Sequence, residues 1–196
     1  MVRSHDRQFG KELYILYPGD YHASKDDCVL GTVTGSCLVV CLYDTTRRIG
    51  GMGHFIVPGT VGTEGLYRDA IAAHGVANME YILGEIVKLG GDRKYLKAKV
   101  IGAADLRNAG SVNGGLTVGM IRFIDEYFRS EKIPVVSEDL GGNYRRKIYF
   151  YPREGKAYRK VLMNNSESSE FSRMEQEYID RELRNSEKFG KVILFE

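Results

Sequence analysis

The sequence predicts an α/β protein with mixed β-strands and two main helices. Short apolar runs are separated by turns rich in Gly and Pro, a pattern typical of strands. Two longer stretches repeat apolar residues at three- and four-residue steps, which indicates amphipathic helices. The chain has 196 residues, a length that suits one domain, or one domain with an appendage.

Two hairpins are the clearest strand predictions. Residues 37–43 (CLVVCLY) are apolar throughout, as in a strand buried on both faces, and a loop of five to seven residues joins them to residues 51–57. Residues 146–151 and 157–162 flank a turn that contains Gly155. The predicted strands, in chain order, are 13–17, 28–34, 37–43, 51–57, 97–103, 133–136, 146–151 and 157–162.

The helices are predicted from periodicity alone. Residues 66–89 carry the longer pattern, which ends at Gly90-Gly91, and residues 116–128 carry the second. The tail differs in composition, because residues 167–196 have a net charge of −3 while the rest is basic. We interpret 167–188 as a surface helix, and 192–195 as either a short strand or a docking segment.

Composition excludes several classes of protein. A net charge of +2 gives no global electrostatic reason to expect nucleic-acid binding. No apolar run reaches the ~18 residues of a membrane span. The N-terminal sequence contains no apolar signal region, and three cysteines are too few for a disulfide scaffold. We therefore expect a cytoplasmic protein that has no membrane span and does not bind nucleic acid.

Cys37 and His54 form the sharpest candidate pair for chemistry. Cys37 follows Gly35-Ser36, where small residues allow close approach, and an imidazole can generate and hold the reactive thiolate. The residues alone leave the alternative open that both side chains belong to the core. A zinc site from Cys37, Cys41 and His54 is disfavoured, because structural zinc takes four ligands and no CxxC pair exists.

Longer strings carry a family resemblance. Residues 32–44 (TVTGSCLVVCLYD) and 50–58 (GGMGHFIVP) resemble the signature of the chemoreceptor glutamine deamidase family, CheD. Residues 139–148 (DLGGNYRRKI) are similar to a second block of that family, and 99–104 (KVIGAA) to a weaker third. The resemblance extends from about residue 13 to residue 163.

The resemblance implies a cysteine hydrolase that acts on side-chain carboxamides of protein glutamines. Its nucleophile falls on Cys37 and its histidine on His54. Its threonine falls most naturally on Thr32, although Thr34 is also near. Substrate contacts are expected from Gly35 and Ser36, and the backbone N–H groups around Ser36 and Cys37 are candidate oxyanion donors. The implied chemistry requires no metal and no cofactor. The implied fold is α/β, with mixed sheets packed together and flanked by helices, similar to toxin deamidase domains.

The resemblance also divides the chain. The resemblance predicts a deamidase-like domain (13–163), while the polarity and charge of the two ends predict a mobile N-terminal segment (1–12) and a charged helical C-terminal extension (164–196). Three departures from the family pattern lie in the loop 105–115, in the string at 119–122 (GMIR) and in the tail after 163. Arg145 and Arg146 are interpreted either as an anionic contact for the receptor or as a solvated strand end.

The predicted function is deamidation of glutamines on chemoreceptor cytoplasmic helices, which tunes chemotaxis. The alternative is a binding module for chemoreceptors or for a CheC-type phosphatase, with little catalysis. A third reading is a cysteine hydrolase that acts on another protein amide. We expect a monomer whose Cys37 is partly accessible and has a lowered pKa, and whose 167–196 tail is dispensable for catalysis.

Overall fold

A computed structural model of the chain describes residues 1–6, 10–57, 70–106, 114–162 and 167–186. These residues form ten strands and three α-helices, which confirms the predicted α/β class. In chain order the elements are β1 (Val2–Asp6), β2 (Lys11–Ile15), β3 (Tyr21–Ser24), β4 (Cys28–Thr34), β5 (Leu38–Asp44), β6 (Ile49–Phe55), α1 (Ala70–Lys88), β7 (Leu96–Gly102), α2 (Gly114–Glu131), β8 (Val135–Leu140), β9 (Arg145–Tyr151), β10 (Lys156–Leu162) and α3 (Glu167–Ser186).

The strands form two five-stranded mixed sheets. The first has the order β1-β2-β4-β9-β10 and the second the order β3-β6-β5-β7-β8. Two pairs, β2 with β4 and β7 with β8, are parallel, and the other pairs are antiparallel. Both predicted hairpins are confirmed. In the first, Leu38 pairs with Phe55 and Asp44 with Ile49, so the connecting loop is shorter than predicted.

Strand β5 lies at the centre of the core and is buried on both faces, as its apolar run predicts. Val39 and Cys41 point toward the first sheet, where they join a cluster that includes Phe150. Leu38 and Val40 point the other way and pack in the cluster formed with the helices. The molecule therefore has three layers: the first sheet, the second sheet, and α1 with α2 on its outer face.

Helix α1 packs closely on β6 because that strand carries glycines. A Cβ on Gly53 would overlap the end of Ile82, and one on Gly51 would lie 3.1 Å from the same side chain. This close approach fixes the position of β6, which also carries His54. The helix packs on one face of β6, and β3 and β5 pair with its two edges.

The predicted and observed elements differ at the chain's polar segments. Strands β1 and β3 were not predicted from the sequence, because VRSHD and YHAS lack the apolar alternation of a half-buried strand. Residues 2–6 instead pair along β2, within the segment predicted to be mobile. The start of the predicted helix 66–89, most of the loop 105–115 and the segment 192–195 lie outside the described residues.

Both interpretations of Arg146 are wrong, because this side chain is fully buried. Its guanidinium donates to Asp139 Oδ1 at 2.8 Å and to the Gly141 carbonyl at 2.7 Å, and it stacks over the Tyr144 ring. Arg146 therefore fixes the turn between β8 and β9. Among the described helices, none is both long and apolar enough to cross a membrane.

Candidate active site

Cys37 lies in the short connection between β4 and β5, at one end of the packed sheets. The end of β7 holds this connection in place. Ala103 N donates to the Cys37 carbonyl at 2.9 Å, and Ala104 N donates to the Gly35 carbonyl at 2.8 Å. The chain can approach this closely because Gly102 adopts a φ of +117°, a conformation that L side chains rarely adopt.

His54 lies near the end of β6, and backbone hydrogen bonds hold it from the turn before β3. Gly19 N donates to the His54 carbonyl at 2.7 Å, and His54 N donates to the Asp20 carbonyl at 2.9 Å. Its side chain is fully buried. The backbone of His54 is therefore fixed in position, and the buried imidazole ring has little room to rotate.

Thr32 of β4 orients the His54 ring from the opposite sheet. The Thr32 hydroxyl donates to the Leu16 carbonyl at 2.7 Å, so its only hydrogen is used there. Its oxygen lies 2.9 Å from His54 Nδ1 and must accept a hydrogen bond from that nitrogen. This places a proton on Nδ1, so Nε2 is the nitrogen that faces the cluster and can take up or release a proton.

Glu175 of α3 completes the cluster, and the sequence did not predict its role. One carboxylate oxygen, Oε1, accepts hydrogen bonds from Cys37 N at 2.9 Å and Gly35 N at 3.0 Å. The Thr34 hydroxyl lies 3.2 Å from the same oxygen and 3.0 Å from the Cys37 carbonyl. Glu175 is only 4% exposed. Nothing in its local sequence distinguishes it from the other acids of a charged helix.

Three reactive groups converge at this point. Ligating atoms of Cys37, His54 and Glu175 all lie within 4.8 Å of one another, and all three residues are buried. His54 Nε2 lies 3.9 Å from Glu175 Oε1 and has no hydrogen-bond partner among the described residues. The predicted pair and the predicted Thr32 are therefore brought together. Thr34 contacts the backbone of the cysteine loop instead of the imidazole.

The expectation that Cys37 is partly accessible and has a lowered pKa is wrong for this conformation. Cys37 is fully buried. Burial raises the pKa of its thiol well above the usual value, and the charge of Glu175 and a hydrogen bond to its carboxylate raise it further. The nucleophilic thiolate is consequently disfavoured while α3 stays in place.

The Glu175 carboxylate is held in its ionised form. Burial acts to raise its pKa, but the nearby His54 and the amides of Gly35 and Cys37 outweigh burial and lower the pKa from 4.5 to about 2. A carboxyl group whose pKa is lower in the folded state stabilises the fold above its unfolded pKa. That contribution is lost as the pH falls through the folded value.

Replacing Glu175 with alanine should therefore lower the midpoint of thermal unfolding at neutral pH. The difference between wild type and Glu175→Ala should shrink as the pH falls from 4.5 toward about 2, where the wild-type carboxylate takes up its proton. Thermal unfolding of both proteins across this range measures it. A difference that stays constant with pH would show that the charge contributes nothing.

Comparison with known proteins identifies the family. A profile described as CheD chemotactic sensory transduction matches residues 59–161. A "Probable chemoreceptor glutamine deamidase CheD 1" of Shewanella oneidensis is 37% identical over 98% of this chain and 92% of its own length. Another from Dechloromonas aromatica is 36% identical over 98% of this chain and 94% of its own. The chain belongs to the CheD family.

Among solved structures, the Bacillus licheniformis hypothetical protein YfiH resembles this chain with a TM-score of 0.37 and a sequence identity of 16%. The match covers 61% of this chain and 49% of that chain.

The alignments with the CheD relatives extend into the segment that forms the C-terminal helix. The sequence resemblance ended near residue 163, whereas the alignments cover 97% or more of the chain and cannot omit a helix of 20 residues. The tail is therefore aligned with curated CheD sequences, although it lacked a recognisable motif. The interpretation of 167–188 as a helix is confirmed for residues 167–186, but the helix is more than a surface element, because it buries Glu175, Tyr178 and Ile179.

The cluster contains residue types that bind metal, but its geometry favours an anion. Cys, His and Glu are all ligands of zinc. Glu175 Oε1, however, lies where two backbone N–H groups converge, and their positive ends attract negative charge and repel a cation. Cys41, the other cysteine considered for zinc, lies in the cluster between the two sheets. In this CheD-family chain, the anion site lies beside Cys37, the predicted nucleophile.

Proposed function

We propose that this chain is a protein-glutamine deamidase that converts glutamines of chemoreceptor cytoplasmic helices to glutamate. The observation that carries the proposal is the pair of amides, Gly35 N and Cys37 N, that converge on one carboxylate oxygen beside Cys37. Their distances of 3.0 Å and 2.9 Å to that oxygen match those required of oxyanion-hole donors. The names of the relatives supply the substrate class.

In the proposed reaction, Cys37 attacks the side-chain carbonyl carbon of the glutamine. Gly35 N and Cys37 N donate to the oxygen that becomes negative, so this charge forms where the donors already point. Ser36, between them, belongs to the same loop and lines a small cavity with Ile179. Of the two predicted substrate contacts, Gly35 would supply one of these amides, and Ser36 would contribute through the loop that it shares with them.

His54 is proposed to move the protons. Because Nδ1 bonds to Thr32, Nε2 is the nitrogen that accepts the proton from Cys37 and returns it to the departing ammonia. A thioester remains, and water activated by Nε2 hydrolyses it to glutamate. Thr32 is proposed to act as a positioning residue that fixes the tautomer and the ring angle. None of these steps uses a metal or a cofactor.

Replacing Cys37 with alanine tests the proposal. A chemoreceptor cytoplasmic fragment is incubated with the protein, and peptide mapping by mass spectrometry locates each conversion of glutamine to glutamate. We expect conversion with the wild type and complete loss with Cys37→Ala, because the acyl group then has no sulfur to bond to.

Cys41→Ala is the matched control, since Cys41 is also fully buried and lies on the adjoining strand. It should retain the activity. If the fragment binds but no glutamine changes with any of the three proteins, the alternative of a binding module replaces the proposal. Conversion that persists in Cys37→Ala would exclude the proposed nucleophile.

The remaining partners and location are proposed on the same basis. The protein would act as a monomer in the cytoplasm, where receptor helices present their glutamines, and a CheC-type phosphatase would be a second partner. Each new carboxylate adds a negative charge to the receptor bundle. That charge shifts the packing of the receptor helices and, with it, the signalling equilibrium.

A further inference from the structure

Helix α3 covers the candidate active site with one continuous side of the helix. Five residues at helical spacing, here called the inner face of α3, point toward the rest of the molecule: Phe171, Glu175, Tyr178, Ile179 and Glu182. Intervals of three and four residues place side chains on the same face of a helix. The two acids of this face are buried, although acids are usually exposed.

The contacts of the inner face surround the proposed catalytic residues. Phe171 stacks on Tyr17 with ring centroids 5.5 Å apart. Tyr178 lies against Gly19, where a Cβ would come within 2.9 Å of its ring. Gly19 belongs to the turn that holds the His54 backbone. Glu182 lies 3.5 Å from His74 of α1. The helix thus lies directly over the turn and the loop that form the site.

Glu175 occupies the position that the reaction product would occupy. Glutamine and glutamate side chains have the same length and shape, and deamidation converts the first into the second. The Glu175 carboxylate lies within 4.8 Å of both Cys37 and His54, and its oxygen Oε1 accepts both oxyanion-hole amides. A carboxylate in this position is what the enzyme would hold immediately after hydrolysis.

We infer that α3 is bound in the substrate-helix position of its own chain, with Glu175 as a built-in product mimic that inhibits the enzyme. The inference rests on the proposed function and adds its regulation. A receptor helix must displace α3 before its glutamine reaches Cys37, because the two side chains compete for the same pair of amides. The buried state of Cys37 is a consequence of this occupancy.

A glutamine at position 175 would make the helix a substrate in cis. The Cys37 sulfur would bond to the side-chain carbonyl carbon at position 175, and the bond from that carbon to nitrogen would break. Ammonia would leave with the proton taken from the thiol. Water would then cleave the thioester, and glutamate and the free thiol would be restored.

The experiment is to express the Glu175→Gln variant and map its peptides. Cleavage after Arg173 and Arg181 isolates residues 174–181 in one peptide, which also contains the native Gln176. We expect position 175 to be recovered as glutamate and to remain glutamine in the double variant Glu175→Gln with Cys37→Ala. Gln176, whose side chain bonds to Asp180 at 2.7 Å, is the internal control and should remain glutamine.

A second variant tests the inhibition itself. Glu175→Ala should raise kcat/KM for a chemoreceptor fragment about tenfold or more, which corresponds to an inhibited fraction of about nine-tenths in the wild type. The same variant should speed alkylation of Cys37. Glu177→Ala is the matched control, since the Glu177 side chain is 70% exposed. Its ion pair with Arg173 is long, at 3.7 Å between Oε1 and Nε. This control variant should change neither rate.

The outcomes separate this inference from the proposed function. If receptor glutamines are converted by Cys37 but position 175 stays glutamine and Glu175→Ala loses activity, Glu175 assists catalysis and the inference is overturned while the proposed function stands. If position 175 is converted and no chemoreceptor fragment is, the inference stands and the substrate class is wrong.

Discussion

Replacing His54 with asparagine is expected to reduce deamidation of a chemoreceptor fragment by about 10²–10⁴-fold, the range that a positioned acid–base group contributes. The His54 ring is fully buried, and Thr32 directs its Nε2 toward the cluster of Cys37 and Glu175. Asparagine preserves a polar side chain but cannot carry a proton between the thiol and the departing ammonia. Single-turnover rates of wild type and variant measure the loss.

His22→Asn is the control for removing an imidazole from this part of the molecule. His22 lies on β3 beside β6, is partly buried and packs against the Tyr14 ring at 4.7 Å. Its replacement should leave the deamidation rate within about threefold of wild type. A substitution of a partly exposed residue away from the site usually changes the free energy of unfolding by only about 0.5 kcal/mol. A His54→Asn protein that folds and retains more than about a tenth of the activity would contradict the assigned role.

The strands that carry the site were predictable because burial on both faces leaves a strong trace in the sequence. A short uninterrupted apolar run between turn residues, such as 37–43, is typical of a central strand buried on both faces, and its hairpin partner then places His54 near the open end of the pair. Edge strands leave no such trace. β1 is stabilised by backbone pairing with β2 rather than by apolar contacts, so its sequence resembles a polar segment.

The candidate site was predictable only in part, because some of its residues lie in a recognisable local sequence string and others are brought to the site only by folding. Cys37 and His54 were identified by a family string, and Thr32 by its place in that string. Glu175 lies more than a hundred residues away in a helix with many acids, and only the folded chain brings it to the Gly35 and Cys37 amides. The buried state of Cys37 could not be predicted either, since it depends on the same helix.

The residues that surround the candidate site come from different layers of the fold. Thr32 comes from the first sheet, His54 from the second, and Glu175 from a helix laid across their end. Strands of the two sheets position the nucleophile loop and the imidazole, and α3 is not a member of either sheet, so the displacement of α3 that we infer leaves the strand pairing in place. This arrangement suits the inferred regulation. The catalytic residues stay on paired strands while the side chain bound at the Gly35 and Cys37 amides, either Glu175 or a substrate glutamine, is exchanged.

Replacing Gly102 with alanine is expected to destabilise the protein by about 2–4 kcal/mol and to abolish most activity. Gly102 has a φ of +117°, and a Cβ there would overlap the Cys37 carbonyl oxygen, which is backbone and cannot move aside as a flexible side chain can. Either the loop of Gly35 and Cys37 shifts, which displaces both oxyanion-hole donors, or β7 separates from it. Chemical denaturation and kcat/KM measure the two consequences.

Gly84→Ala is the matched control, because it adds the same methyl group where nothing lies within 4 Å and the backbone is that of helix α1. Alanine is favoured over glycine in a helix by about 0.8–1.0 kcal/mol, so this variant should be at least as stable as wild type and fully active. If Gly102→Ala were equally harmless, the hold of β7 on the cysteine loop would not position the oxyanion-hole amides. The contrast between two glycines of one chain thus separates the cost of a methyl group from the requirement for close backbone approach at the nucleophile.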